Sequence, residues 1–151
     1  MQKITPFLTL AGRATEAANF YTGIFKDGKI TSTMPGPNNT VMAYTIEIEG
    51  QPFYILNMGV NEKPTPAISF FINCKNQEEL DHYWNSLTDG GSPIQCGWLT
   101  DKFGVAWQVV PDILMKYMVD KNPVKAGNVA QAMMKMVKLD FKGIQDAYDK
   151  E

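Results

Sequence analysis

The 151-residue chain contains a single histidine and two cysteines, and each shortage excludes a class of chemistry. One histidine makes a histidine-built metal site within one chain untenable. It also leaves only His82 for any Ser-His-Asp or Cys-His nucleophile arrangement, which none of the sequence spacings supports. Cys74 and Cys96 form no CxxC and no disulfide framework, a usage that fits a reducing compartment. They read as buried small hydrophobes, with reactive thiols as the alternative. No run approaches the roughly 18 consecutive apolar residues of a membrane span. No block of Lys or Arg occurs either: 14 Lys+Arg stand against 16 Asp+Glu, a net charge of −2. The expectation is therefore no nucleic-acid partner and no membrane partner. A GxGxxG-type loop is absent as well. The N-terminal stretch from Met1 to Ala11 resembles a signal peptide, but Thr5, Pro6 and Thr9 interrupt it and Arg13 stands where a small-residue cleavage site belongs. It reads as a strand, and the protein as cytoplasmic.

What is present is ordinary globular material, 44% hydrophobic and 20% charged, enough for one domain. Ile4–Leu10 reads as a strand and Ala14–Phe25 as a helix whose stripe is Ala17, Phe20, Tyr21 and Ile24. Three strands follow, Lys29–Met34, Thr40–Glu49 and Pro52–Asn57, with a Pro-Gly-Asn loop over 35–39. The pattern then restarts. Ala67–Cys74 reads as a strand, and Asn76 with Glu79 forms a capping box for a helix over Gln77–Leu87. That helix buries Leu80, Tyr83, Trp84 and Leu87, before strands Ser92–Leu99 and Val105–Val110. The two helix stripes align at an offset of 80 − 17 = 63, and the same offset lays Thr5–Thr9 on Ile68–Ile72. The repeat implies two βαβββ modules, 1–58 and 67–111, joined by a connector over 59–66 that carries Pro64 and Pro66. Two α+β segments sharing a period by chance is the alternative. A helical tail occupies 112–151, read as helices over Asp112–Val119, Val124–Lys138 and Phe141–Tyr148. Its Met133, Met134 and Met136 read as adaptable packing against the sheet or a partner subunit.

Paired βαβββ modules with Glu16-Ala17-Ala18-Asn19-Phe20-Tyr21 in the first helix resemble the vicinal oxygen chelate superfamily, and within it the PhnB-like branch. The resemblance rests also on Ile4-Thr5-Pro6-Phe7-Leu8, on Gln95 to Gly104, on Trp107-Gln108-Val109-Val110-Pro111 and on Gln131 to Met136, in order along the whole chain. It implies an α+β fold in which paired modules form a curved, barrel-like mixed sheet with C-terminal helices. Metal-using members of that superfamily take His and Glu ligands from strand positions that correspond here to Pro6, Tyr54, Ser69 and Gln108. Proline offers no side-chain donor, and the other three offer a phenol, a hydroxyl and an amide where a divalent ion wants imidazole or carboxylate. The expectation is thus no metal and no cofactor. A 3-demethylubiquinone 3-methyltransferase label is common in this branch; a Rossmann-like methyltransferase needs a glycine-rich turn that this chain lacks.

A metal-free cleft would be lined by aromatics and amides. Tyr54, Asn57, Gln95, Trp98, Trp107 and Gln108 are the candidate ligand-binding residues, with Phe7, Tyr44 and Phe71 beside them. The alternative is that the aromatics fill the core and that Asn57 and Gln108 make internal hydrogen bonds. Tyr54 and Asn57 differ in parity, so a regular strand points only one of them at a cleft. Asp101-Lys102-Phe103-Gly104 reads as turn chemistry, with Asp101 as a base the alternative. Catalytic residues stay unassigned. The chain reads as a small-molecule binder, the resemblance implies a homodimer, and a cofactorless lyase or isomerase is the other reading.

Overall fold

Ala14, Ala17, Ala18, Tyr21 and Ile24 are the buried residues of α1 (Ala14–Ile24), so Ala17, Tyr21 and Ile24 of the expected stripe are in the core while Phe20 is half-buried. In the computed structural model, which describes residues 2–59 and 62–150, this stripe packs on one face of a four-stranded sheet. The sheet contains β1 (Phe7–Thr9), β2 (Lys29–Pro35), β3 (Val41–Ile48) and β4 (Gln51–Leu56), in the order β1-β4-β3-β2. β1 runs parallel to β4 and the other neighbours are antiparallel. Tyr44, Ile46 and Ile48 of β3 and Phe53 and Ile55 of β4 are buried, and their alternation marks the helix-covered face. The loop over 35–39 contains a short helical turn, Pro37–Asn39, in which Asn38 and Asn39 take positive φ.

The chain divides into two compact units, Met1–Lys63 and Pro64–Glu151. Residues 60 and 61 of the connector, and Met1 of the N-terminal segment, lie outside the described residues. The second unit repeats the first: β5 (Ser69–Cys74), α2 (Gln77–Thr88), β6 (Ser92–Pro93), β7 (Trp98–Thr100) and β8 (Ala106–Pro111), ordered β5-β8-β7-β6 with β5 parallel to β8. Leu80, Tyr83, Trp84 and Leu87 are the buried residues of α2. Asn76 Oδ1 accepts the Glu79 N–H at 2.9 Å, while Glu79 Oε2 accepts the N–H of Lys75, one residue before the cap.

Two expected elements are interrupted, and one interaction explains both. The expected strand Ser92–Leu99 splits into β6 and β7 at a turn where Cys96 has φ 60° and Gly97 φ 81°. The expected helix Val124–Lys138 is α4 (Pro123–Met134) and stops four residues early. Between α4 and the last helix, the Met136 and Val137 carbonyls accept the N–H groups of Cys96 and Gly97, at 2.9 and 2.8 Å. The tail also ties to α2: the Phe141 N–H donates to Gln77 Oε1 at 2.9 Å and Lys138 pairs with Asp81. A Cβ on Gly97 would stand 2.8 Å from Leu139 Cδ1 and 2.9 Å from the Val109 carbonyl oxygen, so glycine is needed there for both its φ and its size. Helices α3 (Asp112–Met118) and α5 (Phe141–Asp149) complete the tail, with Tyr117 stacked on Tyr148 at 3.8 Å between centroids. Among the described residues no helix is long and apolar enough to cross a membrane.

Leu139 is fully buried against Gly97, so Leu139→Ala opens a cavity and is expected to cost about 2–5 kcal/mol in urea unfolding; an unchanged midpoint would show that the tail is only loosely attached. Cys74, buried at the end of β5, has its thiol pushed up to about 12 by burial and by the nearby Glu79 carboxylate. It stays protonated at neutral pH, so its alkylation by iodoacetamide at pH 8 is expected to proceed at the rate of unfolding, read by mass spectrometry of labelled peptides. Rapid labelling of Cys74 in the native protein would contradict this placement.

Candidate functional site

Strand alternation gives each sheet one face under its helix and one face away from it. In the second unit Leu99, Trp107 and Val109 point to the α2 side and are buried. The opposite face carries a cross-strand row, Phe71 on β5, Gln108 on β8 and Trp98 on β7, because Phe71 pairs with Gln108 and Gln108 with Trp98. Phe71 is 43% exposed, and Gln108 and Trp98 are half-buried. Gln108 Nε2 donates to Ser69 Oγ at 2.9 Å. No charged residue occurs in β5, β7 or β8.

Trp107 does not belong to that row. It is 3% exposed, its ring lies 5.2 Å from that of Phe70, and its Nε1–H donates to Asp101 Oδ2 at 2.9 Å. Adjacent residues on a strand face opposite ways, so with Gln108 on the face away from α2, which also holds the buried Ala106 and Val110, Trp107 turns to the α2 side. Gln95 is exposed in the turn before β7, where its carbonyl accepts the Trp98 N–H at 3.2 Å. Asp101 fills a turn role rather than that of a base: Oδ1 accepts the N–H groups of Phe103 and Val105, at 2.8 and 3.0 Å.

Tyr54 and Asn57 belong to the first unit. Tyr54 lies on the face away from α1, its ring 5.7 Å from that of Phe7, which is 56% exposed. Asn57 follows β4 directly, with its N–H donating to the Met42 carbonyl at 2.8 Å. Its Oδ1 is buried and without a hydrogen-bond partner among the described residues. Continued alternation past Leu56 puts Asn57 with Ile55, on the side opposite Tyr54. Tyr44, another aromatic expected near a cleft, is a core residue whose hydroxyl meets Thr15 Oγ1 at 2.8 Å.

These pairings correct the repeat. Helices align at an offset of 63, as expected, but the first strands, β1 and β5, align at 64. The buried Leu10 corresponds to the buried Cys74, and the exposed Phe7, paired with Tyr54, corresponds to the exposed Phe71, paired with Gln108. Three residues lie between Leu10 and the start of α1 and two between Cys74 and that of α2, so the first connection holds one more. Tyr54 is therefore the counterpart of Gln108, whereas the counterpart of Ser69 is Thr5 and not Pro6. Pro6 instead supplies a carbonyl that accepts the Tyr54 N–H at 2.9 Å.

The corrected set, Thr5, Tyr54, Ser69 and Gln108, does not fit a divalent metal. It contains two hydroxyls, a phenol and an amide, with neither imidazole nor carboxylate. Among the described residues no three His, Cys, Asp or Glu side chains gather into a group able to hold an ion. His82 is exposed on α2, beside Tyr83. Ser69 is the site residue that side-chain type alone undervalues. Its signal is its strand parity with Phe71, which places it on the Gln108 face.

Comparison with known proteins agrees with this architecture. The family model described as 3-demethylubiquinone-9 3-methyltransferase matches residues 2–110. A PhnB protein from Bacillus cereus carrying the same description is 35% identical, with 71% of this chain and 97% of that chain covered and a TM-score of 0.66. Protein PA1353 from Pseudomonas aeruginosa is 21% identical, covering 71% and 95%, with a TM-score of 0.61. The fosfomycin resistance protein FosX from Listeria monocytogenes is 16% identical, covering 79% and 98%, with a TM-score of 0.56. The last two share the fold. No curated protein matches. The family match ends before α3, so the resemblance expected of Gln131 to Met136 falls outside it. With matched strands, matched helices and the βαβββ repeat in both units, the chain belongs to the family described as 3-demethylubiquinone-9 3-methyltransferase, the PhnB-like branch of the vicinal oxygen chelate superfamily.

Proposed function

We propose that this protein binds a small molecule without a metal ion, on the face of the second unit that carries Ser69, Phe71, Trp98 and Gln108. The observation that carries the reading is the row Phe71–Gln108–Trp98: two aromatic rings flank an amide on a sheet face that α2 leaves uncovered. Aromatic walls with a few placed polar groups are the usual lining of a small-molecule site. Gln95, in the turn leading into Trp98, borders the same unit's site. Tyr54 beside Phe7 presents the corresponding face of the first unit, while the unpartnered, buried Oδ1 of Asn57 lies on that sheet's other side.

Binding is preferred over the methyl transfer named in the family description. Each sheet is mixed, with one parallel pair, whereas a Rossmann-like methyltransferase is built on a parallel sheet. Between β1 and α1 the chain carries one glycine, Gly12, and between β5 and α2 none, so no glycine-rich turn approaches a nucleotide-like cofactor. The reading includes a homodimer in a cytoplasmic setting. Strand β2 has exposed apolar side chains, Ile30 and Met34, of the kind a second copy covers.

A screen of aromatic and amide fragments by thermal shift tests the binding reading. A ligand at about ten times its Kd is expected to raise Tm by roughly 3–6 °C, and Gln108→Ala should remove most of that rise. If every shift survives both Gln108→Ala and Asn57→Ala, the assignment fails. Sedimentation equilibrium at micromolar concentration should return the mass of two chains; a single-chain mass across the range would refute the dimer.

A further inference from the structure

On the reading that this face is a binding site, the Ser69–Gln108 pair says more about the ligand than the aromatic row alone. The two side chains make one hydrogen bond to each other, Gln108 Nε2 to Ser69 Oγ at 2.9 Å. Gln108 Oε1 then stands as an acceptor open to a ligand, and the Ser69 hydroxyl hydrogen stands as a donor. The balance does not depend on which way the amide is turned. With its ends exchanged, Ser69 donates to the amide oxygen, and the pair offers the amide N–H as donor and the Ser69 oxygen as acceptor. In both arrangements at least one donor and at least one acceptor remain side by side.

The surroundings narrow the chemistry further. Phe71 and Trp98 lie directly across the strands from Gln108, within the roughly 5 Å that separates facing side chains, so a flat ring over the amide also meets aromatic surface. None of the residues of β5, β7 and β8 is charged. An anion or cation seated there would lose hydration with no countercharge from these strands. A plain hydrocarbon ring would cover the free donor and acceptor and leave both unmatched. We propose that the ligand class is an uncharged planar ring bearing a hydrogen-bond donor next to an acceptor, as in a lactam or other cyclic amide, whose N–H and C=O meet the Gln108 and Ser69 groups while the ring packs on Phe71 and Trp98.

The test is an NMR titration of the full chain with three probes: α-pyridone, its N-methyl derivative and benzoate. The reporters are the Trp98 indole N–H, assigned from Trp98→Phe, and the Gln108 side-chain amide. Trp84 and Trp107 are both buried, which separates their indole signals from that of Trp98 by environment. The expected result is that α-pyridone shifts both reporters and binds about fivefold or more tightly than its N-methyl derivative or benzoate. Gln108→Met and Ser69→Ala should each bring the two pyridones to equal affinity, and agreement between the variants guards against one of them disturbing the fold. Equal binding of the two pyridones by the unaltered protein, or tighter binding of benzoate, with Trp98 still responding, overturns the donor–acceptor proposal and leaves the face standing as a binding site. If no probe moves either reporter while all three remain soluble and the protein stays folded, the proposal and the reading beneath it both fall.

Discussion

The buried carboxylate of Asp101 holds the second unit in the arrangement that everything else uses. Only 3% exposed, it accepts from the N–H groups of Phe103 and Val105 and from the indole Nε1–H of Trp107. Its backbone closes the same turn, with its N–H on the Val105 carbonyl and its carbonyl accepting from Gly104. Removed from water, a carboxylate needs such donors, because an unpaired buried charge is far more costly than the turn it organises. The grip on Trp107 matters most. A strand that slips by one residue exchanges its two faces, and tethering Trp107 on the α2 side fixes the parity of β8. Gln108 thereby faces the other way, beside Ser69, Phe71 and Trp98. A turn residue thus decides what the open face can present.

The helices were legible in the sequence because their stripe spans several turns, and a shift of one residue would spoil every match at once. Ala17, Tyr21 and Ile24 against Leu80, Trp84 and Leu87 could align in only one way. Strands give no such protection. In β1 and β5 both faces carry apolar residues, Phe7 and Leu8 in one and Phe70 and Phe71 in the other, so the period-two signal vanishes and offsets of 63 and 64 look alike. One additional residue before α1 was enough to move Pro6 out of the expected position and Thr5 into it. The same ambiguity let Trp107 and Gln108 stand together as candidate contacts until the pairing separated them. Asp101 was legible as a turn residue from Asp-x-x-Gly. Its reach to an indole six residues away depends on how β7 and β8 pair, which no local pattern encodes.

Long-range bonds account for the other differences. Nothing near Met134 in the sequence ends α4, and near Gln95 only Pro93 and Gly97 are residues that break a strand. Each interruption is made favourable by the other, since the Met136 and Val137 carbonyls freed from the helix receive the N–H groups freed at Cys96 and Gly97. Leu139 then fills the space that the missing Gly97 side chain leaves. The tail, outside the residues that match the family model, is in this way built into the helical side of the second unit, and it holds the turn from which Trp98 departs.

On the proposed reading, a face whose strands carry no charged residue would select its ligand by shape and hydrogen bonds. That places the demand on geometry: an amide left to rotate would lose entropy on binding, and much of the gain from a hydrogen bond would be spent in ordering it. Ser69 removes part of that cost beforehand by holding the Gln108 amide, while still leaving donors and acceptors for a ligand of the proposed kind. The aromatic neighbours act in the same direction, because rings on a paired strand have few rotamers to lose. On the proposed reading, the scarcity of histidine and the absence of charge along β5, β7 and β8 make selectivity depend on how firmly the Gln108 side chain is oriented, and through β8 that orientation leads back to the Asp101 turn.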